Sequence, residues 1–223
     1  MVSAVQTLAR KVWLRAPAMS GQSLAAAFAR RDERRPDFHL DSAPPVGKRA
    51  SKRARVAADA AQAALGGLDA LVYLAPEPAE GADLVETVVA ATVDFTAAAR
   101  AAAHAMSRGD GGEIVVVCDI AGVCGRQGRA VEASVAGALL GAVRCLAKEF
   151  GRQAINVNAV CHASVPEFGV VQPLAPAEQE LFGLMKLGRP VGVDQLAQNI
   201  VHLVGGRHAL TGQLLHAADG LII

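Results

Sequence analysis

Apolar residues recur along the chain with the periods of strands and helices, most clearly between residues 113 and 160. Residues 114–118 form a short, apolar, β-branched run, as in a strand buried on both faces of a parallel sheet. A polar, glycine-containing turn follows over residues 119–129. Residues 155–160 read as a second strand, and the helix between has an apolar face of Val135, Leu139, Val143, Leu146 and Phe150 and ends at Gly151. The pattern predicts a right-handed crossover between parallel strands.

The same periods predict further elements towards the start of the chain. Strands are expected at residues 12–14 and 37–41, and helices at residues 23–31, 56–65 and 83–107. Alternation of strands with helices predicts an α/β fold with a parallel sheet. A chain of 223 residues is long enough to bury a substantial core, and we expect one domain over residues 1–223.

Composition and charge narrow the classes of function. With 52% hydrophobic residues and a net charge of +1, the chain gives no electrostatic case for binding nucleic acid or a membrane. We also expect no membrane span, because no apolar run approaches the necessary length. The start of the chain lacks the pattern of a signal peptide, and the four cysteines show no CxxC spacing. We therefore expect a cytoplasmic protein with reduced thiols, and no metal site.

Several motifs together resemble a known family. The segments GEIVVVCDIAG, ASVAGALLGAVRCLAKEFG and INVNAV resemble the second half of a short-chain dehydrogenase/reductase of the 3-oxoacyl carrier-protein reductase type. Residues 68–76 resemble the central strand of that family, residues 188–204 its LGRP segment, and residues 210–220 its terminal strand. The resemblance implies a Rossmann-like, doubly wound parallel sheet in three layers. The adenine-side, N-terminal half is shortened here by at least one strand–helix element.

The resemblance also identifies four positions where the family carries catalytic residues. Asp119 stands at the position of the catalytic Ser, Val131 at the Tyr, Val135 at the Lys and Ala91, within about one residue, at the Asn. A valine has no ionisable atom, so neither valine can act as the general acid or base that hydride transfer needs. Asp119 would place a negative charge where an alkoxide develops. These replacements predict a chain without reductase activity.

The segment that would bind a dinucleotide has also changed. The strand-to-helix turn of the family holds three glycines that let the backbone approach the pyrophosphate. This chain has one glycine there, in a loop containing Arg15, Ala16, Pro17, Ser20 and Gly21, and the proline removes a backbone donor. Leu74 and Pro76 replace residues of the family's Asn-Ala-Gly segment. We therefore expect no cofactor in this chain.

A group of basic residues follows the second predicted strand: Lys48, Arg49, Lys52, Arg53 and Arg55. It has two interpretations, a site for a phosphate or an acidic partner, or a solvated segment leading into a helix. Charge runs of this kind are usually exposed, which favours the second interpretation.

Two further features suggest what the chain does instead. Asp119 and His162 follow neighbouring predicted strands at the edge where α/β sheets bind ligands, so they could form an oriented base; alternatively, Asp119 caps a turn and His162 is an ordinary loop histidine. In addition, two helices have small-residue faces that include Ala98, Ala102, Ala138 and Ala142. In the related family these helices contact a second subunit.

We therefore expect a catalytically inactive subunit that assembles with an active paralogue, with NAD(P) held by that partner. The partner would act on acyl-CoA or acyl-carrier-protein thioesters, as the resemblance implies. Assembly with a second copy of the same chain stays open. So do two other functions, a repurposed enzyme that uses Asp119 and His162, and a sensor of an acyl or nucleotide ligand.

Overall fold

Six parallel strands form one sheet in the described part of the chain. The structure, a computed structural model, describes residues 11–29, 37–42, 50–78, 81–163, 165, 179, 183–186, 191–205 and 209–221. The strands are β1 (Lys11–Ala16), β2 (Asp37–Ser42), β3 (Ala70–Leu74), β4 (Gly112–Asp119), β5 (Ile155–His162) and β6 (Leu214–Ala217). Their order is β2-β1-β3-β4-β5-β6, and all neighbouring pairs are parallel. The predicted parallel α/β sheet is confirmed.

Helices cover both faces of this sheet. They are α1 (Ala18–Ala29), α2 (Ala50–Leu65), α3 (Leu84–Met106), α4 (Ala121–Cys124), α5 (Ala130–Phe150) and α6 (Val193–Val204). Helices α2, α3 and α5 pack on one face, and α1 and α6 on the other. Successive strand residues therefore enter different cores: Val116 packs towards α3 and α5, whereas Val117 packs towards α1 and α6. This is the three-layer, doubly wound arrangement that was predicted.

The N-terminal half of the described sheet is short. Only one described strand, β2, lies beyond β1, as expected from the shortened interval before residue 56. Towards the C-terminal half, a buried asparagine fixes the last strand. The Asn158 side chain donates to the Leu210 carbonyl at 2.8 Å and accepts from the Gln213 N–H at 3.0 Å. These bonds place the segment before β6 against β5.

Four expectations about the helices were wrong. Helix α2 begins at Ala50 and not at residue 56, so part of the basic segment before residue 56 is helical. Helix α1 begins at Ala18 and not at residue 23, because Pro17 is well suited to stand at a helix start and the following residues are good helix formers. The expected turn over residues 119–129 contains the short helix α4. Finally, we expected no apolar run of the length of a membrane span, but the segment from Ala130 to Gln153 meets the criteria of length and composition for one. In this fold it is a core helix, with eight residues buried against the sheet and α3.

Candidate functional site

A cavity of about 110 Å³ lies at the carboxyl edge of β3, β4 and β5. It is surrounded by residues 75–78, which follow β3, by the last residues of β4 and β5, and by the first turns of α5. The described lining consists of apolar, acidic, arginine, cysteine and histidine side chains: Ala75, Pro76, Glu77, Pro78, Cys118, Asp119, Arg129, Glu132, Val135, Ala136, His162, Ala163 and Val165. This edge is where open α/β sheets bind ligands, so the cavity is the candidate site.

Asp119 and His162 are neighbours at this edge. They are Cα partners in the register of β4 and β5, and the Ile120 N–H donates to the His162 carbonyl at 2.7 Å. The Asp119 carboxylate accepts a hydrogen bond from the Ala121 N–H at 2.6 Å and lies 3.6 Å from the Arg126 guanidinium. The carboxylate therefore caps the turn that leads into α4, and an arginine balances its charge.

His162 is buried, and its surroundings favour a neutral imidazole. Its side chain is hydrogen-bonded through Nδ1 to the Ala163 carbonyl. Burial lowers the pKa of His162, and the positive charge of Arg126 acts in the same direction. The Ala163 hydrogen bond and the Asp119 carboxylate oppose this shift without reversing it. A neutral imidazole beside a carboxylate can accept a proton from a molecule in the cavity.

Three carboxylates share the cavity. Asp119 is balanced by Arg126, and Glu132 is paired with Arg129 at 2.9 Å. The pKa of Glu77 is raised, first because its carboxylate is partly desolvated and then because Asp119 is close. Arg129 opposes this shift. The described side chains of the site therefore carry slightly more negative than positive charge, which disfavours an anionic ligand in the cavity.

The other residues at the catalytic positions of the resemblance have no reactive groups to offer. Val135 lines the cavity and is buried in the core with an exposure of 2%. Val131 lies in the first turn of α5 and is half-buried. Ala91 is buried in α3, and its carbonyl accepts a bond from the Tyr73 hydroxyl at 3.3 Å. In addition, no serine, threonine, tyrosine or lysine is among the described residues of the lining.

The residues of the expected dinucleotide loop are divided between β1 and α1. Strand β1 runs through Arg15 to Ala16, Pro17 follows, and the residues around Ser20 form the first turn of α1, where the Gly21 N–H donates to the Pro17 carbonyl at 2.8 Å. A Cβ atom at Gly21 would lie 2.9 Å from the Ala16 Cβ atom, so this glycine serves close packing of the helix on the strand. Because the Gly21 N–H is already bonded within the helix, it is not available to a pyrophosphate.

Arg15 points away from this turn and into the interior. Its guanidinium forms two bonds to the Asp94 carboxylate of α3, at 3.0 and 2.6 Å, and a further ion pair with Asp41 at the end of β2. Leu74 is buried at the end of β3, while Pro76 lines the cavity. The residues assigned to one degenerate cofactor loop therefore lie in three different environments.

The interface prediction is wrong for two of its four residues. Ala98 and Ala102 are 0% exposed because the sheet and the neighbouring helices of the same chain cover them, so a second subunit cannot contact them. Ala138 and Ala142 are partly exposed on α5. The outer face of α3 carries valines instead: Val85, Val89 and Val93 are 69%, 54% and 40% exposed and recur every four residues along one side of the helix.

Sequence reasoning missed several residues of this region. Glu77, Arg126, Arg129 and Glu132 were not predicted, although Arg129 and Glu132 have the i,i+3 spacing of helical ion pairs. The Arg15–Asp94 pair joins residues 79 positions apart, so no local pattern could indicate it. Cys118 and Cys161 are Cα partners on β4 and β5, and only the strand register shows this.

Comparisons with known proteins agree with the fold. The sequence model of a family described as "Enoyl-(Acyl carrier protein) reductase" matches residues 49–221. The human 3-oxoacyl-[acyl-carrier-protein] reductase is 34% identical over 55% of this chain and 50% of its own length. The Escherichia coli enzyme of the same name is 25% identical over 62% of this chain and 56% of its own length. The chain thus spans about half the length of these relatives.

Solved structures extend the likeness to nearly the whole chain. A short-chain type dehydrogenase/reductase from Mycobacterium ulcerans is 18% identical and superposes with a TM-score of 0.77 over 95% of this chain and 89% of its own. A short-chain alcohol dehydrogenase from Sinorhizobium meliloti 1021 is 19% identical, with a TM-score of 0.74 over 95% and 96% of the two chains. At such identities the likeness concerns the fold alone.

Proposed function

The chain belongs to the short-chain dehydrogenase/reductase family, and from this premise we propose that it is a member without reductase activity that assembles with an active relative. The proposal rests on the residues that line the cavity. Hydride transfer in this family needs a hydroxyl group as general acid and an ammonium group close to it. The corresponding positions are Val135, which lines the cavity, and Val131, one turn earlier on α5, and neither side chain has an ionisable group. Groups of a catalytic unit act together, so losing them removes most of the rate enhancement.

We also propose that this chain binds no nicotinamide cofactor. The support for this proposal is the turn between β1 and α1, where Pro17 has no backbone N–H to offer a pyrophosphate and the Gly21 N–H is used within the helix. The excess of carboxylates in the cavity acts in the same direction, because it repels an anionic ligand. NAD(P) would then be held by the partner subunit.

The outer face of α3 and α5 is the surface proposed for assembly. Val85, Val89 and Val93 form an apolar ridge on α3. On the neighbouring helix α5, Gly137 and Gly141 have no atom of a described residue outside their own helix within 4 Å of the position of a Cβ, so another helix could approach closely there. Exposed apolar patches such as the valine ridge mark interaction sites on soluble proteins. The partner could also be a second copy of the chain.

The names of the relatives suggest the chemistry of the partner. Both curated relatives are named as reductases of 3-oxoacyl groups carried on acyl carrier protein. We therefore propose an active subunit that reduces an acyl thioester. This chain would stabilise that subunit by ordering its helices at the interface.

Expression of the chain alone and together with family members from the same genome tests the proposal. Each preparation is examined by native mass measurement, by titration with NADH and NADPH, and by an assay of 3-oxoacyl thioester reduction. We expect a hetero-oligomer whose activity falls when this chain is left out, and no cofactor binding by this chain alone. Tight NAD(P) binding, or enzymatic reduction of a carbonyl by the isolated chain, would overturn the proposal.

A second function has one observation in its favour, the register of Asp119 and His162 at the cavity. A carboxylate beside a neutral imidazole could act as an oriented base on a small ligand. This alternative requires turnover by the isolated chain, and the turnover must be lost in His162→Gln. If the isolated chain shows no turnover, or if Asp119→Asn and His162→Gln leave its turnover unchanged, the alternative is excluded.

A further inference from the structure

Two cysteines occupy matching positions on neighbouring strands, just below the cavity. Cys118 of β4 and Cys161 of β5 are Cα partners, one residue before Asp119 and His162. Side chains at matching positions of parallel strands project from the same face, and neighbouring strands lie about 4.8 Å apart. Disulfide-bonded cysteines have Cα atoms about 4.4–6.8 Å apart and Cβ atoms about 3.5–4.5 Å apart. The spacing of the strands therefore satisfies the first condition, and the second is met once the two side chains tilt towards each other.

Access to this pair is restricted to small molecules. Both side chains are almost fully buried, with exposures of 1% and 0%, in the core between the sheet and helices α3 and α5. The Cys118 side chain lines the cavity, whose volume of about 110 Å³ admits water and molecules of similar size. The other two cysteines, Cys124 and Cys145, are exposed. A reagent larger than the cavity therefore meets those two and not the buried pair.

The two thiols differ in acidity because they interact with each other. A hydrogen bond between them raises the pKa of Cys118, and burial raises it further. The same hydrogen bond lowers the pKa of Cys161 against the effect of burial, with a contribution from the positive charge of Arg144. One thiol thus keeps its proton while the other more readily becomes the nucleophilic thiolate.

We propose that Cys118 and Cys161 form a redox modification site, at which a peroxide small enough to enter the cavity converts the two thiols into one disulfide. In the first step one thiol takes an oxygen atom from hydrogen peroxide and becomes a sulfenic acid, and one water leaves. The second sulfur then attacks the sulfenic sulfur, the S–S bond forms, and a second water leaves. The thiols lose two electrons and two protons, and the peroxide is reduced to two waters.

The bond would join β4 and β5 directly beneath the cavity and would enclose α4 and α5 in one covalent loop. It acts on the side of the sheet that carries the exposed valines and glycines of the α3–α5 face. The proposal is independent of whether the chain assembles with a partner, because it concerns residues buried within one chain.

The test uses the double variant Cys124→Ser, Cys145→Ser, which keeps only the buried pair and alters two exposed positions. The folded protein is treated with hydrogen peroxide, then denatured in iodoacetamide, and its intact mass is measured. We expect the loss of two hydrogen atoms, no alkylation, and full alkylation of two thiols after treatment with dithiothreitol. Oxidised glutathione, which is much larger than the cavity, should produce neither a bridge nor an adduct.

Two controls make the result decisive. Adding Cys161→Ala to the double variant should abolish the bridge and leave a single modifiable thiol. Peptide mapping of the wild-type chain after peroxide should find Cys118 linked to Cys161 without any need for substitutions. Two alkylated thiols after a treatment that oxidises a small free thiol, irreversible sulfinic acid without a bridge, or a link to Cys124 would overturn the proposal.

Discussion

At Arg15 the chain holds a full positive charge in its interior, and two carboxylates make this possible. The side chain is 1% exposed. Burial by itself lowers the pKa of Arg15, but the hydrogen bond and charge of Asp94, together with Asp41, outweigh it, so the pKa is raised. A buried pair of this kind is costly to break, because removing one partner leaves the other charge without compensation.

Arg15→Met should therefore destabilise the protein by about 3–5 kcal/mol, since it leaves the Asp94 carboxylate buried and unpaired. The matched control is Asp41→Asn, which keeps the Arg15–Asp94 pair and alters a side chain that is 21% exposed, so its cost should be smaller. Urea unfolding measures both. Equal losses of stability in the two variants would contradict the conclusion that Asp94 is the main partner of Arg15. The double variant Arg15→Met, Asp94→Leu should recover part of the stability, because it leaves no unpaired buried charge at position 94.

Stability should also depend on the protonation of His162. Because burial lowers the pKa of this imidazole in the folded protein, the unfolded chain binds its proton more readily. The contribution is fully present above about pH 6.5, the unfolded value, and is lost as the pH falls towards the lower folded value. His162→Gln should flatten the dependence of the free energy of unfolding between about pH 7.5 and about pH 5.5.

The pKa of Glu77 shifts in the opposite direction to that of His162, so the effects of the two groups on stability must be measured separately. The pKa of Glu77 is raised in the folded protein, so its contribution to stability falls as the pH rises through the acidic range. Comparing His162→Gln with the parent in a Glu77→Gln background isolates the imidazole. An unchanged pH dependence in that comparison would mean that His162 does not titrate differently in the folded and unfolded chains.

At the level of elements, α4 and α5 are in close contact next to Ala136, a residue of the cavity lining. A Cβ atom at Gly122 of α4 would lie 2.5 Å from the Ala136 Cβ atom and 2.8 Å from the Gly137 nitrogen. Only a residue without a side chain lets α4 rest on the backbone of α5. The sequence alone did not predict α4, because four residues form a helix here through this contact and not through their own propensity.

Gly122→Ala should thus cost about 1–3 kcal/mol, since the added methyl group forces α4 away from α5. Gly137→Ala is the matched control. It places the same methyl group on the exposed side of α5, where no atom lies within 4 Å, and should stabilise the helix by up to about 1 kcal/mol. Thermal unfolding distinguishes the two, and a gain in stability for Gly122→Ala would refute the close packing of α4.

At the level of the whole molecule, the sheet was predictable because its central strands are strongly apolar and alternate with helices. Which small residues of α3 and α5 point into the core and which point outward was not predictable. Alanine suits both the inside of a fold and a contact between subunits, so composition could not tell that Ala98 is buried while Ala138 is partly exposed. Likewise, the pairing of Arg15 with Asp94 depends on how α3 lies over β1, which only the tertiary structure fixes.

The surface proposed for assembly gives a prediction at this scale. Val89→Asp places a charge in the middle of the exposed ridge of α3 and should lower the mass of the assembly in native mass measurement, because a buried unpaired charge is costly. Val56→Asp is the control, since Val56 is 60% exposed on α2, outside the ridge. Both changes should leave the unfolding midpoint nearly unchanged. Loss of the assembly in both variants, or in neither, would argue against this face.

The first turn of α1 also determines how one of its amides exchanges with solvent. The Gly21 N–H is held by the Pro17 carbonyl, so it is protected from exchange without any ligand. Adding NADH or NADPH should therefore leave the deuterium uptake of this amide unchanged. A glycine loop that binds a dinucleotide would instead become more protected when the dinucleotide is added.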